Sequence, residues 1–515
     1  MNAYPLLGLG AGLLLGAGLL QGASAPRATG PAPTTAPAVT SAPAPATAPI
    51  PAASPSSTSE ATSSTLAQAA PQRPAVSVKT YGARGDGTTD DTAALNRAAS
   101  QAAGRDLVFP AGTYLIRGPV VFSGLKDQTV SGAPGAVIQG APDYQRGRFE
   151  GMLHFDRPVN VTVRDLKIVG RRVPGANPYA NVIDGVRVAR GRNITLAGLE
   201  ILEAPTNGIA VEDTDTVTLR DNRLERAGGA GGWSHRTVHQ RWLNNTVVGL
   251  GDPNGKPGAG LGFFATIGDD FLAEGNVLKN IGNTATKTEG VHHVVYRNNT
   301  VDVFGKDGIK VMPYDGATTT VEGAVIENNS VRAKRSWAPD GSAYILMHSV
   351  NGGQIRNNRV EGTGGQPEVY AEDAIKVNTW GAGPPSKNIV IEGNQVRDTR
   401  RGIRIEADNV VLRANTVTGR LPWARSGVIV GSNGVVITEN VIDGPSMGVL
   451  IDRGFGRTRI ENNRFDHVET AVYAANGNPG VTVSRNTFGA SVQKAIAGSV
   501  GRDCNFYNTT ECRLP

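Results

Sequence analysis

Three cationic side chains occupy the same place in three short aliphatic runs. Lys310, Lys376 and Arg404 each stand between two aliphatic residues. Side chains alternate across a strand, so aliphatic neighbours that face inward leave these cations facing outward. If successive repeats stack as in a sheet, Lys376 and Arg404 lie about 5 Å apart and repel by about 3 kcal/mol at an effective dielectric of about 20. An anion must offset this repulsion, either Asp373 and Glu406 of the chain itself or a bound ligand.

A histidine and three tryptophans accompany these cations. His348 ends the strand that precedes the strand of Lys376, and a neutral imidazole at that place can act as an acid or a base near pH 7. The alternative is an ordinary polar residue at a strand end. Asn378 follows Lys376 on the outward face. The longest turns beside these strands contain three flat aromatic side chains, Trp337, Trp380 and Trp423.

The elements that position these residues are short strands in a repeat of 21 to 36 residues. Each repeat has an asparagine and, in most cases, a strand about eight positions after it. The alternation has period two and no helical pattern intervenes, which is typical of one coil of a parallel β-helix. An asparagine can adopt the left-handed conformation in a turn, and its amide can bind the next coil. We expect one ladder of eleven asparagines: Asn222, Asn245, Asn276, Asn299, Asn329, Asn358, Asn394, Asn415, Asn440, Asn463 and Asn486.

The sequence therefore predicts an all-β fold. Leucine-rich repeats are the rival architecture, but their leucine pattern is absent. An alanine-rich segment that ends at Ala103 predicts a short N-terminal capping helix, with Asp90 or Asp91 at its N-terminus. This helix would cover the first coil, since an open sheet edge invites association.

Three regions follow one another along the chain. Residues 1–25 contain an apolar, uncharged stretch and the small-x-small tripeptide Ala23-Ser24-Ala25, which predict a signal peptide. An uncleaved membrane anchor is the alternative, because no Lys or Arg precedes the stretch. Residues 26–75 are almost wholly Ala, Pro, Thr and Ser and predict a disordered linker. Residues 76–515 would form the β-helix domain with a C-terminal cap, in a secreted or cell-envelope protein.

The composition limits the class of partner and indicates the redox compartment of the protein. The formal net charge is +6, but no Lys/Arg-rich run occurs, so we expect no nucleic-acid partner. The two cysteines, Cys504 and Cys512, lie close together at the C-terminus. They predict a disulfide in an oxidising compartment, with two free thiols as the alternative.

The segment from Tyr81 to Thr92, followed by Phe109 to Tyr114, resembles the N-terminal motif of the pectate-lyase-like superfamily. With the repeats, the resemblance covers roughly residues 76–500. It implies a right-handed, single-stranded parallel β-helix of about twelve coils, with substrate along the outer face of one sheet. The superfamily includes polygalacturonase-type hydrolases, pectate and alginate lyases, mannuronan epimerases and phage tailspikes, so the resemblance does not decide the reaction.

The resemblance makes an acidic polysaccharide the expected partner, with tryptophans against the apolar faces of its sugars. A polygalacturonase-type hydrolase needs clustered carboxylates, and the Gly-His-Gly and Arg-x-Lys elements of that family are missing here. Asp184, Asp307 and Asp373 precede outward strands, but such residues are often only turn formers. The cations favour β-elimination instead, in which they neutralise a uronate while a Lys, Arg or His takes its C5 proton.

We therefore expect a lyase-type enzyme acting on a uronate-containing polysaccharide. One alternative is a hydrolase that acts in the same groove on the outer face of this sheet. Another is a non-catalytic glycan-binding or structural envelope protein. Calcium stays open as a cofactor, although no ligand cluster stands out. The catalytic candidates are Lys376, Arg404, His348, Lys310, Asp373 and Glu406, and the substrate-binding candidates are Trp337, Trp380, Trp423 and Asn378.

Overall fold

The computed structural model describes residues 73–513 apart from 103, 145–149, 181, 252–259, 315–317, 335–341, 363–372, 382, 420–423, 453, 476–477, 479, 499, 503–504 and 508–511. Within this part of the chain no helix is long and apolar enough to cross a membrane. The predictions for residues 1–72, Trp337, Trp423 and Cys504 lie outside the described residues, as does the side chain of Cys512. The signal peptide, the linker and the disulfide therefore stay predictions.

The described chain winds through three sheets of parallel strands, and most coils contribute one strand to each sheet. We call the sheet that contains Lys310, Lys376 and Arg404 sheet 1. Its strands are Val120–Ser123, Glu150–Asp156, Ile183–Ala189, Ile209–Glu212, Ala230–Leu243, Leu261–Glu274, Thr286–Arg297, Ile309–Met312, Ala343–His348, Asp373–Asn378, Arg401–Ile405, Ser426–Val430, Met447–Ile451, Thr470–Ala474 and Lys494–Gly498.

Sheets 2 and 3 complete each coil. The three longest strands of sheet 1 continue without a break into sheet 2. The other strands of sheet 2 are Ala75–Ser77, Asp106–Phe109, Lys126–Gly132, Val159–Arg164, Arg192–Ala197, Asp215–Arg220, Val321–Glu322, Val325–Glu327, Val350–Asn351, Gln354–Arg356, Lys387–Glu392, Asp408–Arg413, Val436–Thr438, Arg459–Glu461, Thr482–Ser484 and Gly501–Arg502. Sheet 3 comprises Asp86–Asp90, Gly112–Ile116, Ala136–Gly140, Lys167–Val169, Glu200–Leu202, Arg223–Glu225, Thr246–Leu250, Val277–Ile281, Thr300–Phe304, Ser330–Lys334, Arg359–Glu361, Gln395–Arg397, Thr416–Thr418, Val441–Asp443, Arg464–Asp466, Thr487–Phe488, Asn505–Tyr507 and the antiparallel Cys512–Arg513.

Inward-facing aliphatic side chains from the three sheets form one core. Ile375, Ile403, Val428 and Val449 pair in register on successive coils of sheet 1, and all four are almost completely buried. Each such side chain contributes about 1.5–3 kcal/mol of transfer free energy when it leaves water. The stacked aliphatics therefore hold the register that places every second side chain of sheet 1 on its outer face.

A short α-helix precedes the coils. It spans Thr92–Gln101 and follows a 3-10 turn at Val78–Tyr81. Asn96 attaches the helix to sheet 1, because its Oδ1 accepts a hydrogen bond from the Val121 N–H at 2.9 Å. The carboxylate of Asp90 accepts a hydrogen bond from the first helical N–H at 3.0 Å, so Asp90, of the two candidates, makes the N-terminal contact. The capping role of the helix and the number of coils stay predictions.

The asparagine ladder is confirmed. Each ladder side chain donates from Nδ2 to the Oδ1 of the next at 2.9–3.2 Å, from Asn222 onward. The ladder includes a twelfth member, Asn505, which lies 19 residues after Asn486. Because the ladder residues are buried, these bonds satisfy amide groups that would otherwise be costly to desolvate.

One expectation about the ladder is wrong. From Asn222 to Asn486, the left-handed backbone conformation belongs to the residue before each ladder asparagine and not to the asparagine itself. Asn244 has φ 53° before Asn245, and Asn328 has φ 55° before Asn329. The preceding residue turns the chain, and the ladder side chain then points into the turn, where it can reach the neighbouring coils.

Candidate functional site

The outer face of sheet 1 presents one side chain from each coil in a single row. Strands of a parallel sheet lie about 4.8 Å apart, so seven coils span about 29 Å. Lys376 and Arg404 pair in register on adjacent coils, and the strand of His348 precedes that of Lys376, as the sequence predicted. The order along this part of the row is Trp233, Phe264, Lys287, Lys310, Leu346, Lys376 and Arg404.

We call Lys287, Lys310, Lys376 and Arg404 the cation row. Three of its members have a carboxylate partner within the chain. Arg404 Nε lies 2.6 Å from Glu406 Oε1, as expected for this pair, and Lys310 Nζ lies 3.4 Å from Asp307 Oδ2.

Lys287 is the third paired member, and sequence reasoning missed it. Its Nζ contacts Glu289 and lies 4.9 Å from the centre of the Phe264 ring. Burial lowers the pKa of Lys287, and the charge of Lys310 acts in the same direction against the opposing effect of Glu289. Spacing could have revealed it, since Lys287 precedes Lys310 by the same 23 residues that separate Asn276 from Asn299.

Asp373 has a different partner from the one that the sequence suggested. It is fully buried, and its Oδ1 lies 2.6 Å from Nε of Arg401, a residue absent from the predicted set. Burial raises the pKa of Asp373, and the nearby Arg401 opposes this shift. The position suits a carboxylate that holds Arg401 in place, and direct contact with a substrate would require the surrounding side chains to move.

Lys376 is the exception in the cation row. It is only 8% exposed, yet it forms no ion pair within 4 Å and no hydrogen bond with any residue in the described ranges. Most of the side chain is removed from water, but Nζ is not among the buried nitrogens without a partner, so a ligand on the outer face of sheet 1 can reach the ammonium. This side chain can therefore gain substantially from an anion that reaches it.

His348 and Trp380 lie beside the cation row. Their ring centroids are 5.2 Å apart, and Lys310 Nζ lies 5.4 Å from the centre of the Trp380 ring. Burial, reinforced by the charge of Lys310, lowers the pKa of His348 to about 3. The imidazole is therefore neutral at pH 7, which suits a hydrogen-bonding role better than the acid–base role expected from the sequence. Asn378 pairs in register with His348 on the next coil.

The described part of the chain contains no group of three or more His, Cys, Asp and Glu side chains that could hold a metal ion. The carboxylates of Glu289, Asp307 and Glu406 lie beside the cation row, and each contacts one of its cationic side chains.

Sequence comparison identifies the family. Residues 75–337, about half of the chain, match the family described as rhamnogalacturonase A/epimerase, pectate lyase-like. The chain belongs to this family. The match agrees with the parallel sheets, and the right-handed parallel β-helix expected from the N-terminal motif is confirmed. Residues 321–513 also match the family described as periplasmic copper-binding protein (NosD). No curated protein matches the chain.

Solved structures similar to this pectate-lyase-like chain are distant in sequence. The Dettilon tailspike protein is 17% identical with a TM-score of 0.50, and the match covers 71% of this chain and 66% of the tailspike, just under two thirds of its length. The surface adhesin PfbA of Streptococcus pneumoniae is 14% identical with a TM-score of 0.43 over 80% of this chain and 92% of the adhesin. The mannuronan C-5 epimerase AlgE4 A-module of Azotobacter vinelandii is 17% identical with a TM-score of 0.41 over 79% and 99%. At these identities the likeness concerns the fold alone.

Proposed function

We propose that the protein acts on an acidic, uronate-containing polysaccharide that lies along the outer face of sheet 1. The observation that carries this proposal is Lys376, whose mostly buried side chain ends in an ammonium without an ionic partner among the described residues, in a row of cations. A uronate carboxylate would supply the missing anion. The family description, which names a rhamnogalacturonase and likeness to pectate lyase, supports a carbohydrate ligand.

The spacing of the cation row suits a polymer with repeated carboxylates. Lys287 and Lys310 are on adjacent coils, Leu346 interrupts the row, and Lys376 and Arg404 are again adjacent. Each adjacent pair of cations is about 4.8 Å apart along the sheet. Two uronates could therefore each meet two side chains of the row, one on either side of Leu346.

The reaction that we propose is β-elimination. A cation that pairs with the uronate carboxylate stabilises the negative charge that develops when a base removes the C5 proton. The C4–O bond then breaks, a C4–C5 double bond forms, and the leaving oxygen receives a proton. Burial lowers the pKa of Lys287, so it releases its own proton more readily than an exposed lysine and is our candidate for the base. Lys310, on the adjacent coil, would then meet the carboxylate of the same uronate, while Lys376 and Arg404 bind the other uronate.

Incubation of the protein with pectate, alginate, glucuronan and hyaluronan tests the reaction class. A lyase produces a conjugated C4–C5 double bond that absorbs ultraviolet light. Hydrolysis produces reducing ends without this absorbance, and a protein that only binds glycan produces neither signal. Ultraviolet-absorbing products from at least one polymer support the proposal, and reducing ends without absorbance would replace it with a hydrolase.

A matched pair of variants connects the reaction to the site. Lys376→Met removes the unpaired ammonium, whereas Lys387→Met makes the same change at an exposed lysine on sheet 2. We expect the first variant to lose most product formation and the second to keep it. Equal rates for both variants would show that the reaction takes place elsewhere.

A further inference from the structure

The outer face of sheet 2 has a partly exposed apolar stripe. Five aliphatic side chains occupy the same outward position on successive strands, and Gln354 interrupts them between the third and the fourth. We call these five residues the apolar stripe: Leu272, Val295, Val325, Val390 and Val411. Arg241 precedes the stripe in this position, and Val436 follows it. Contiguous exposed apolar surface is typical of an interaction site.

A row of alternating charges borders the stripe, two residues further along each strand. We call its six members the charge ladder: Glu274, Arg297, Glu327, Arg356, Glu392 and Arg413. Leu243 precedes the ladder in this position and Thr438 follows it, so the alternation has an even number of members. Within the chain the six charges form three ion pairs of 2.6–2.9 Å, but 42–49% of each arginine side chain is exposed. Each arginine can therefore also meet a carboxylate of another molecule.

The charge ladder is complementary to its own reverse. Because its six charges alternate in sign, an acid stands opposite a base at every position when two ladders are aligned in opposite directions. A two-fold axis that lies in the interface along the strands produces this alignment. At its centre, Glu327 of each copy faces Arg356 of the other. In the stripe, the same rotation places Val295 opposite Val390.

A parallel arrangement of two copies lacks this match. The ladder would then face the column on the other side of the stripe, which contains Asp270, His293, Gly323, Gly352, Asn388 and Asn409. Glu274 would face Asp270, a group of like charge, and Glu327 and Arg356 would face glycines. Charge complementarity therefore favours the antiparallel arrangement.

The face is large enough for a weak interface. Six strands at about 4.8 Å span about 29 Å, and five residues of each strand at about 3.3 Å span about 16 Å. The face therefore covers about 470 Å² on each copy, or about 900 Å² in total, close to the lower limit of about 1,000 Å² for a specific interface. Such an area predicts association that is reversible and depends on concentration.

We propose that a second copy of this chain packs antiparallel on the outer face of sheet 2 and forms a reversible two-fold dimer. The apolar stripes form the centre of the interface, and the charge ladders determine its direction. The inference does not rest on the proposed function, because it concerns a different sheet. Both cation rows stay outside the interface, so the dimer carries two of them.

Sedimentation velocity of the full-length protein, from about 1 to about 300 µM, tests for the dimer. We expect wild type to change from monomer to dimer in this range, with a Kd of about 10 µM or weaker. Val390→Lys places an ammonium in the apolar stripe and should stay monomeric throughout. Thr195→Lys introduces the same ammonium in the same outward position, three strands before Leu272, and should dimerise like wild type.

Two charge reversals test the direction of the two copies. Glu327→Arg and Arg356→Glu each place like charges opposite one another twice at the centre, so we expect the Kd of either variant to rise at least about tenfold. An equimolar mixture should recover the wild-type Kd, because the introduced arginine then faces the introduced glutamate while the native Arg356 and Glu327 face each other. Both variants lose the same ion pair within the chain, so this loss does not explain a recovery.

Wild type that stays monomeric at about 300 µM, or a Val390→Lys variant that dimerises like wild type, would overturn the inference. A mixture that dimerises no better than either charge-reversal variant would overturn the antiparallel arrangement. A trimer or larger assembly of wild type would contradict the two-fold axis.

Discussion

Lys376 and Arg404 pair in register on adjacent coils, yet only Arg404 has a carboxylate partner, Glu406, at 2.6 Å. Their side chains also differ in exposure, since a quarter of the Arg404 side chain is accessible whereas Lys376 is nearly buried. One cation of the pair is thus satisfied within the chain, and the other is available to a ligand.

Arg404→Ala should change binding far more than stability. The Arg404–Glu406 pair is partly exposed, and such pairs contribute about 1 kcal/mol or less to folding. We expect a free energy of unfolding within about 1 kcal/mol of wild type, measured by urea denaturation, together with weaker binding of an acidic oligosaccharide. A large loss of stability with unchanged binding would make Arg404 a structural residue.

Arg401→Ala provides the opposite case on the same strand. It would leave the carboxylate of Asp373 buried without its guanidinium partner at 2.6 Å. Breaking a buried pair in this way costs about 3–5 kcal/mol. We expect the midpoint of urea denaturation to fall clearly below that of Arg404→Ala. Equal midpoints for the two variants would show that Asp373 is satisfied by another group.

The asparagine ladder should contribute strongly to stability. Asn329→Ala removes the amide that accepts hydrogen bonds from Asn299 and donates one to Asn358, all within the buried turn. We expect a loss of about 2–4 kcal/mol, since buried partners are left unsatisfied at about 1–3 kcal/mol each. The adjacent Asn328 is exposed with φ 55°, so Asn328→Gly should be nearly neutral in the same measurement.

Protonation of His348 should destabilise the fold in acid. Burial lowers its pKa to about 3 in the native state, whereas an unfolded histidine titrates near pH 6.5. Between these values the unfolded chain binds a proton that the native chain excludes, so stability falls by up to about 1.4 kcal/mol for each unit by which the pH decreases. Above about pH 6.5 the residue adds no pH dependence. His348→Asn should remove this slope between pH 6 and pH 4 in urea denaturation, and an unchanged slope would show that the imidazole is accessible.

The repeats made the fold predictable from sequence, because each coil must place its turn asparagine and its inward aliphatics in the same way. Asn505 was not predicted as a ladder member, because it follows Asn486 by only 19 residues, a shorter interval than those earlier in the ladder. Lys287 was not predicted as an outward-facing cation for another reason. Its neighbours are threonines, so the alternation of aliphatic and polar residues that marked Lys310 and Lys376 is absent there.

Ion pairing could not be derived from strand register. Asp373, Lys376, Arg401 and Arg404 are close in the predicted register, and several pairings satisfy the same spacing. The structure selects Asp373 with Arg401 and Glu406 with Arg404, which leaves Lys376 without a partner among the described residues. This selection depends on side-chain conformations and burial, which the sequence pattern does not specify.

Binding of a carboxylate by Lys376 is tested most directly by one titration. Wild type and Lys376→Met are titrated with β-1,4-glucuronate hexasaccharide and with cellohexaose, the same chain without carboxylates. We expect Lys376→Met to bind the glucuronate oligomer at least about tenfold more weakly, the loss of one charged contact of about 1.4 kcal/mol or more, and to leave any binding of cellohexaose unchanged. Its free energy of unfolding should not fall below that of wild type by more than about 1 kcal/mol, because the ammonium that is removed has no ionic partner among the described residues. Unchanged affinity for the glucuronate oligomer, or a marked loss of stability, would contradict the claim.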